Sequence, residues 1–162
     1  NTNSSLYVAE RGLGGASQAG LLTSVNTFAG MVAGVILSQV MARLKKYTVP
    51  VAFGIAAVGM ILAYVGTSLP VILIGGACVG FAFSTYTPAG TTLVSEHVSI
   101  SQRSMAIAIL SAANNVGASV SPYVVNALSG TFDSTIQIKY LVSAIAIVIV
   151  MVITFIKFKN EK

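Results

Sequence analysis

The chain has 162 residues, 55% of them hydrophobic and only 8% charged, with a mean hydropathy of +0.86. A water-soluble domain carries roughly 25% charged residues, so this composition excludes an ordinary soluble fold and predicts an all-helical membrane protein. Nine Lys and Arg against four Asp and Glu give a formal net charge of +5, but no basic run is interleaved with aromatics, which argues against a nucleic-acid partner.

The sequence opens on polar NTNSS without an initiator Met or a signal-peptide pattern, a beginning that reads as the middle of a longer protein. Five apolar stretches follow, each long enough to cross a hydrocarbon core of about 30 Å as a helix of roughly 20 residues. They are expected at about 16–42, 48–69, 70–94, 104–128 and 140–156, the last extendable to about 138–158 through Ile138 and a snorkelling Lys139. Pro50 enters the second and Pro70 opens the third. The single cysteine, Cys78, lies inside the third run, which excludes an intrachain disulfide and a cysteine-based metal site.

The connections alternate in charge. Arg43, Lys45 and Lys46 follow the first span, Arg103 follows the third, and Lys157, Lys159 and Lys162 follow the fifth, while only Arg11 and Lys139 fall on the other side. The positive-inside rule then places the loops at Arg43, Lys45, Lys46 and Arg103, and the C-terminus, in the cytoplasm. An integral protein of a plasma or inner membrane is expected.

Polar residues separate the spans further, because a polar group facing lipid is costly. The second and fifth spans are almost purely apolar and read as peripheral, lipid-facing helices. Thr23, Ser24 and Asn26 mark the first, Ser84, Thr85, Tyr86 and Thr87 the third, and Ser111, Asn114, Asn115, Ser119, Ser121, Tyr123 and Asn126 the fourth. On the fourth, Ser111, Asn115, Ala118, Pro122 and Asn126 recur at spacings of three and four and form one stripe, facing other helices or water. Small residues four apart, Gly30 with Gly34, Gly76 with Gly80, and Gly117 between Ala113 and Ser121, predict close backbone approach. Pro88 and Pro122 interrupt the third and fourth helices; transporters place such breaks at binding sites, and packing alone also produces kinks.

These residues resemble the major facilitator superfamily, specifically the later half of its twelve-helix fold. YVAERGLGGASQAGLLTS is similar to the outer loop and eighth helix, with a Gly-Leu-Gly turn at the entrance. SQVMARLKKY sits where the family has a glycine-initiated, Asp-Arg-centred basic loop. Arg43 and Lys46 fit that pattern, but Ser38, Ala42 and Lys45 replace its first glycine, its acid and its second glycine. TPAGTTLVSEHVSISQRSMAIAI resembles the connection between the tenth and eleventh helices, and NNVGASVSPYV the eleventh, where Gly117 and Pro122 match a tightly packed face. The resemblance implies five transmembrane helices, the eighth to twelfth, as part of the C-terminal six-helix bundle, with the N-terminal half as the missing partner. It also implies peripheral positions for the second and fifth spans.

No ionisable residue lies within a span when Lys139 is taken as interfacial, so the site candidates are neutral: Asn26, Ser84, Thr85, Tyr86, Asn114 and Asn115, with Tyr123 and Asn126 nearer the outer end. In the family the tenth helix lines the central cavity and the eighth and eleventh flank it, which matches the three polar spans. Uncharged donors and aromatics suit a small neutral or amphipathic solute such as a drug or sugar. The alternative for each residue is a helix-linking hydrogen bond of about 0.6 kcal/mol. His97 beside Glu96 is expected in a loop and solvated rather than a pH sensor. With no intramembrane nucleophile-base pair or paired metal ligands, neither an enzyme nor a cofactor is expected. The expected function is alternating-access transport of a solute through the bilayer, and the alternative is a non-transporting membrane scaffold or truncated transporter product.

Overall fold

The computed structural model describes residues 12, 14–130 and 136–160, and these residues form five long helices and two short turns of 3₁₀ helix. Helix α1 runs Ala16–Leu44, α2 Thr48–Val65, α3 Leu69–Glu96, α4 Arg103–Gly130 and α5 Ile136–Asn160. At 1.5 Å per residue, α2 is about 27 Å long and the others about 37–43 Å. The helix ends lie within about four residues of those expected from the sequence, and the largest differences are at the end of α2 and, against 140–156, at both ends of α5.

Local chemistry sets the ends. Gly12 (φ 64°) and Gly14 (φ 132°) take the left-handed backbone that leads into α1, where the Gly15 N–H donates to Gln18 Oε1 at 3.0 Å. The α1–α2 connection is the 3₁₀ turn Lys45–Tyr47. Lys45 holds φ 49° there, a positive value uncommon for a residue with a Cβ, and the buried Thr48 hydroxyl ties the turn by donating to the Lys45 carbonyl at 2.8 Å. Pro50 falls in the first turn of α2, where a missing N–H breaks no intrahelical bond.

Helix directions follow from the contacts. Asn26 meets Gly76 and Gly30 meets Gly80 and Ser84, so α1 and α3 run parallel. Gly59 meets Gly75 while Phe53 meets Tyr86, so α2 is antiparallel to α3; Tyr47 against Phe155 and Gly54 against Met151 make α5 antiparallel to α2. Tyr86 to Asn114 and the shared lining of Gly90, Thr91 and Leu110 make α4 antiparallel to α3. Helices α1, α3 and α5 therefore point one way and α2 and α4 the other. Arg43, Lys45, Lys46, Arg103, Lys157 and Lys159 all fall at one end of the bundle, and Lys139 at the opposite end.

The interior is built from small side chains: Ala19, Ala33, Ala52, Ala57, Ala63, Ala82, Ala89 and Ala144 are buried, with Leu22 and Ile72 the only larger aliphatic residues among the described core. Large apolar groups point outward instead, with Phe28 62% and Val35 76% exposed. That inversion suits hydrocarbon, where close backbone approach rather than hydrophobic burial holds helices together. Among the described residues three stretches are apolar and long enough to cross a membrane, Ala16–Val65, Leu69–Glu96 and Ile138–Lys159, and the first contains both α1 and α2. Helix α4, rich in Asn and Ser, is not among them.

One expectation needs revision. Helix α2 is not simply a lipid-facing helix, because it lies between α3 and α5 and buries Thr48, Pro50, Ala52, Ala57, Gly59 and Ala63. Its outward Val51, Val58, Ile61 and Val65 remain exposed. Helix α5 keeps the peripheral place, with only 6% of its most apolar window buried.

Candidate functional site

The tightest part of the bundle is the seam of α1, α2 and α3. A Cβ on Gly80 would collide with the Asn26 carbonyl, and one on Gly30 would come within 2.5 Å of Ser84 Oγ. A Cβ on Gly76 would lie 2.6 Å from Leu22 Cδ1. Gly59 and Gly75 form a second close approach, each with its would-be Cβ under 3 Å from the other's carbonyl. Gly30, Gly76 and Gly80 thus lie at close helix–helix approaches, whereas nothing lies within 4 Å of a Cβ on Gly34 or Gly117. Pro122 lies inside the exposed α4.

The six candidate site residues fall into two groups. Asn26 and Ser84 belong to the α1–α3 seam, where Asn26 Nδ2 donates to the Gly76 carbonyl at 3.0 Å. Thr85 is 3% exposed, and its hydroxyl donates to the Phe81 carbonyl of its own helix at 2.7 Å. These three side chains hold helices together or satisfy themselves. Tyr86 and Asn114, by contrast, meet across the space between α3 and α4, with the Tyr86 hydroxyl donating to Asn114 Oδ1 at 3.3 Å. Asn115 is exposed on α4, about 100° around the helix from Asn114.

Tyr86, Thr87, Gly90 and Thr91 of α3 and Leu110, Ser111, Ala113 and Asn114 of α4 line a cleft of about 190 Å³. Two aromatics fix the Tyr86 ring: Phe53 of α2 stacks on it at 5.3 Å between centroids, and Phe83 meets it edge-on at 5.4 Å. Neither phenylalanine is marked by composition or spacing, so both escape a search for polar groups. The Thr87 and Thr91 hydroxyls donate to the carbonyls of Phe83 and Thr87, which leaves their oxygens as acceptors toward the cleft. Pro88 has no N–H, so the Ser84 carbonyl loses its usual helical donor on the same stretch. From Arg103 onward α4 is exposed along most of its length, Tyr123 at 78%. The Asn115 carbonyl accepts from Ser119, and Asn126 has a partner of its own.

The cleft carries no charged side chain, and the described residues contain no group of His, Cys, Asp and Glu able to hold a metal ion. Glu96 and His97 are exposed at the basic end of the bundle, and His97 Nδ1 lies 2.8 Å from the Leu93 carbonyl. What the cleft offers is hydrogen-bonding groups beside an aromatic wall.

Helices with small residues inside and large apolar residues outside define a polytopic integral membrane protein. The chain belongs to the Major Facilitator Superfamily, whose family model matches residues 2–162, and that family is one of transporters, not enzymes. No curated protein and no solved structure matches the chain significantly.

Proposed function

We propose that the chain supplies the eighth to twelfth helices of a secondary transporter, crossing the bilayer five times with its C-terminus in the cytoplasm. It carries a small neutral or amphipathic solute by alternating access, in which two bundles rock about a midplane site. The other bundle is the N-terminal half of the same transporter, and it covers the polar stripe of α4. The alternating directions of α1 to α5 and the grouping of basic residues at one end support the topology.

The observation that carries the site is the Tyr86 to Asn114 bridge across the α3–α4 cleft, backed by Phe53 and Phe83. Solute binds there by exchanging that long hydrogen bond for its own, with Asn115, Tyr123 and Asn126 turned toward the partner half. Asn26 and Ser84 serve the seam, Thr85 bonds within its own helix, and all three act on the solute only through helix position.

Transport assays on the complete transporter test this. Tyr86→Phe and Asn114→Ala should each weaken apparent solute affinity about threefold to tenfold, the range of one lost neutral hydrogen bond. Unchanged affinity and rate in both variants would overturn the site.

A further inference from the structure

The basic end of the bundle holds a cavity of about 620 Å³ lined by Arg43, Lys45, Lys46, Tyr47, Glu96 and His97. Three cations face one carboxylate, so its lining is net positive. Beside it, a groove of about 680 Å³ between α2 and α5, lined by Pro50, Gly54, Met151 and Phe155 among others, contains no hydrogen-bonding side chain apart from the Cys78 thiol. From Pro50 to Val58 the groove follows α2 for about 12 Å.

The two spaces are joined by one run of side chains. Lys46 Nζ sits 5.8 Å from the Tyr47 ring centroid, and that ring packs 5.7 Å from Phe155, which lines the groove. Tyr47 therefore contacts both a cation and a residue that lines the apolar groove. We propose that this end of the bundle binds an anionic phospholipid, its phosphate against Lys46, Arg43 and Lys45 and one acyl chain in the α2–α5 groove.

The charge selects the headgroup and the groove selects the chain. A free phosphate leaves the groove unused, and a zwitterionic lipid brings its own cation toward the three that are already present. Glu96 and the exposed His97 bound the headgroup space from the α3 side, where the carboxylate excludes a second anion. A juxtamembrane cation contributes roughly fivefold to anionic-lipid affinity.

Native mass spectrometry of the detergent-purified chain tests this with dioleoyl phosphatidylglycerol and dioleoyl phosphatidylcholine as probes. The unaltered chain should retain phosphatidylglycerol at least about fivefold better. Lys46→Gln should cut that preference about fivefold and leave phosphatidylcholine retention unchanged. Gly54→Leu, which fills the groove beside Met151, should lower retention of both lipids. Equal retention of the two lipids by the unaltered chain overturns the proposal. So does undiminished retention in Gly54→Leu, or displacement of phosphatidylglycerol by chainless glycerophosphoglycerol. Should either variant lose its helical circular dichroism, the unaltered chain decides alone: its preference must fall as ionic strength rises from about 0.1 to about 1 M, and a salt-independent preference overturns the proposal.

Discussion

The α1–α2–α3 seam and helix α4 are made from similar residues, glycine, alanine, serine and asparagine, and do opposite things with them. In the seam, Gly30, Gly59, Gly75, Gly76 and Gly80 let backbones touch, and Asn26 spends its amide on a neighbouring carbonyl. In α4, Gly117 faces open space and the Ser and Asn side chains from Ser111 to Ser121 are exposed. The same alphabet therefore encodes a finished contact in one place and an open face in the other. What distinguishes them is whether a helix arrives opposite.

Substitutions can break that contrast, and their expected effects fall in order. Gly80→Ala should cost the most, about 2–3 kcal/mol, because its methyl group collides with the Asn26 carbonyl and backbone cannot move aside cheaply. Unfolding in mixed detergent micelles measures the loss, and a wild-type midpoint would show that the seam is looser than described. Asn26→Leu removes the amide donor to Gly76 and should cost about 1 kcal/mol by the same measurement.

Tyr86→Phe should be milder, about 0.6 kcal/mol or less, since the ring keeps both aromatic partners and loses only a 3.3 Å hydrogen bond. Near-neutral stability combined with weakened solute affinity would mark the cleft as a binding region rather than a structural one. Gly117→Ala should have the smallest effect on this chain, neutral or stabilising by up to about 1 kcal/mol through helix propensity. In the complete transporter the same change should reduce transport if α4 packs against the other half. Full tolerance in both settings would argue that this face of α4 stays uncovered.

Much of the fold can be read from the chain because lipid imposes few options. Apolar length marks α1, α2, α3 and α5 but not the Asn- and Ser-rich α4, and the Gly12 and Gly14 turn before α1 is visible in the letters themselves. Glycine spacing identifies Gly30, Gly76 and Gly80 but equally suggests Gly34 and Gly117, since spacing defines a face and not its neighbour. The Gly59–Gly75 contact is obscured for a related reason. Its segment has few polar groups, yet alanine and glycine pack against protein as readily as valine and isoleucine face lipid. Asn26, Ser84 and Thr85 look like cavity residues because hydrogen-bonding capacity is legible and the partner is not; two of the partners involved, the Gly76 and Phe81 carbonyls, are backbone groups that no side-chain pattern reveals. Residues 1–11, 13, 131–135 and 161–162, which include Arg11, part of the second outer segment and Lys162, lie outside the described residues.

Helix α3 is clamped at one end and springy at the other. From Ile72 to Ser84 it is gripped by close glycine contacts on two sides. Between Ser84 and Pro88 its backbone lacks one rung, and farther on the hydroxyls of Thr91, Thr92 and Ser95 each bond a carbonyl four residues back, which bends a helix without severing it. The missing rung therefore falls within one helical turn of Tyr86, so the local bend of α3 helps set how that ring is presented to Asn114.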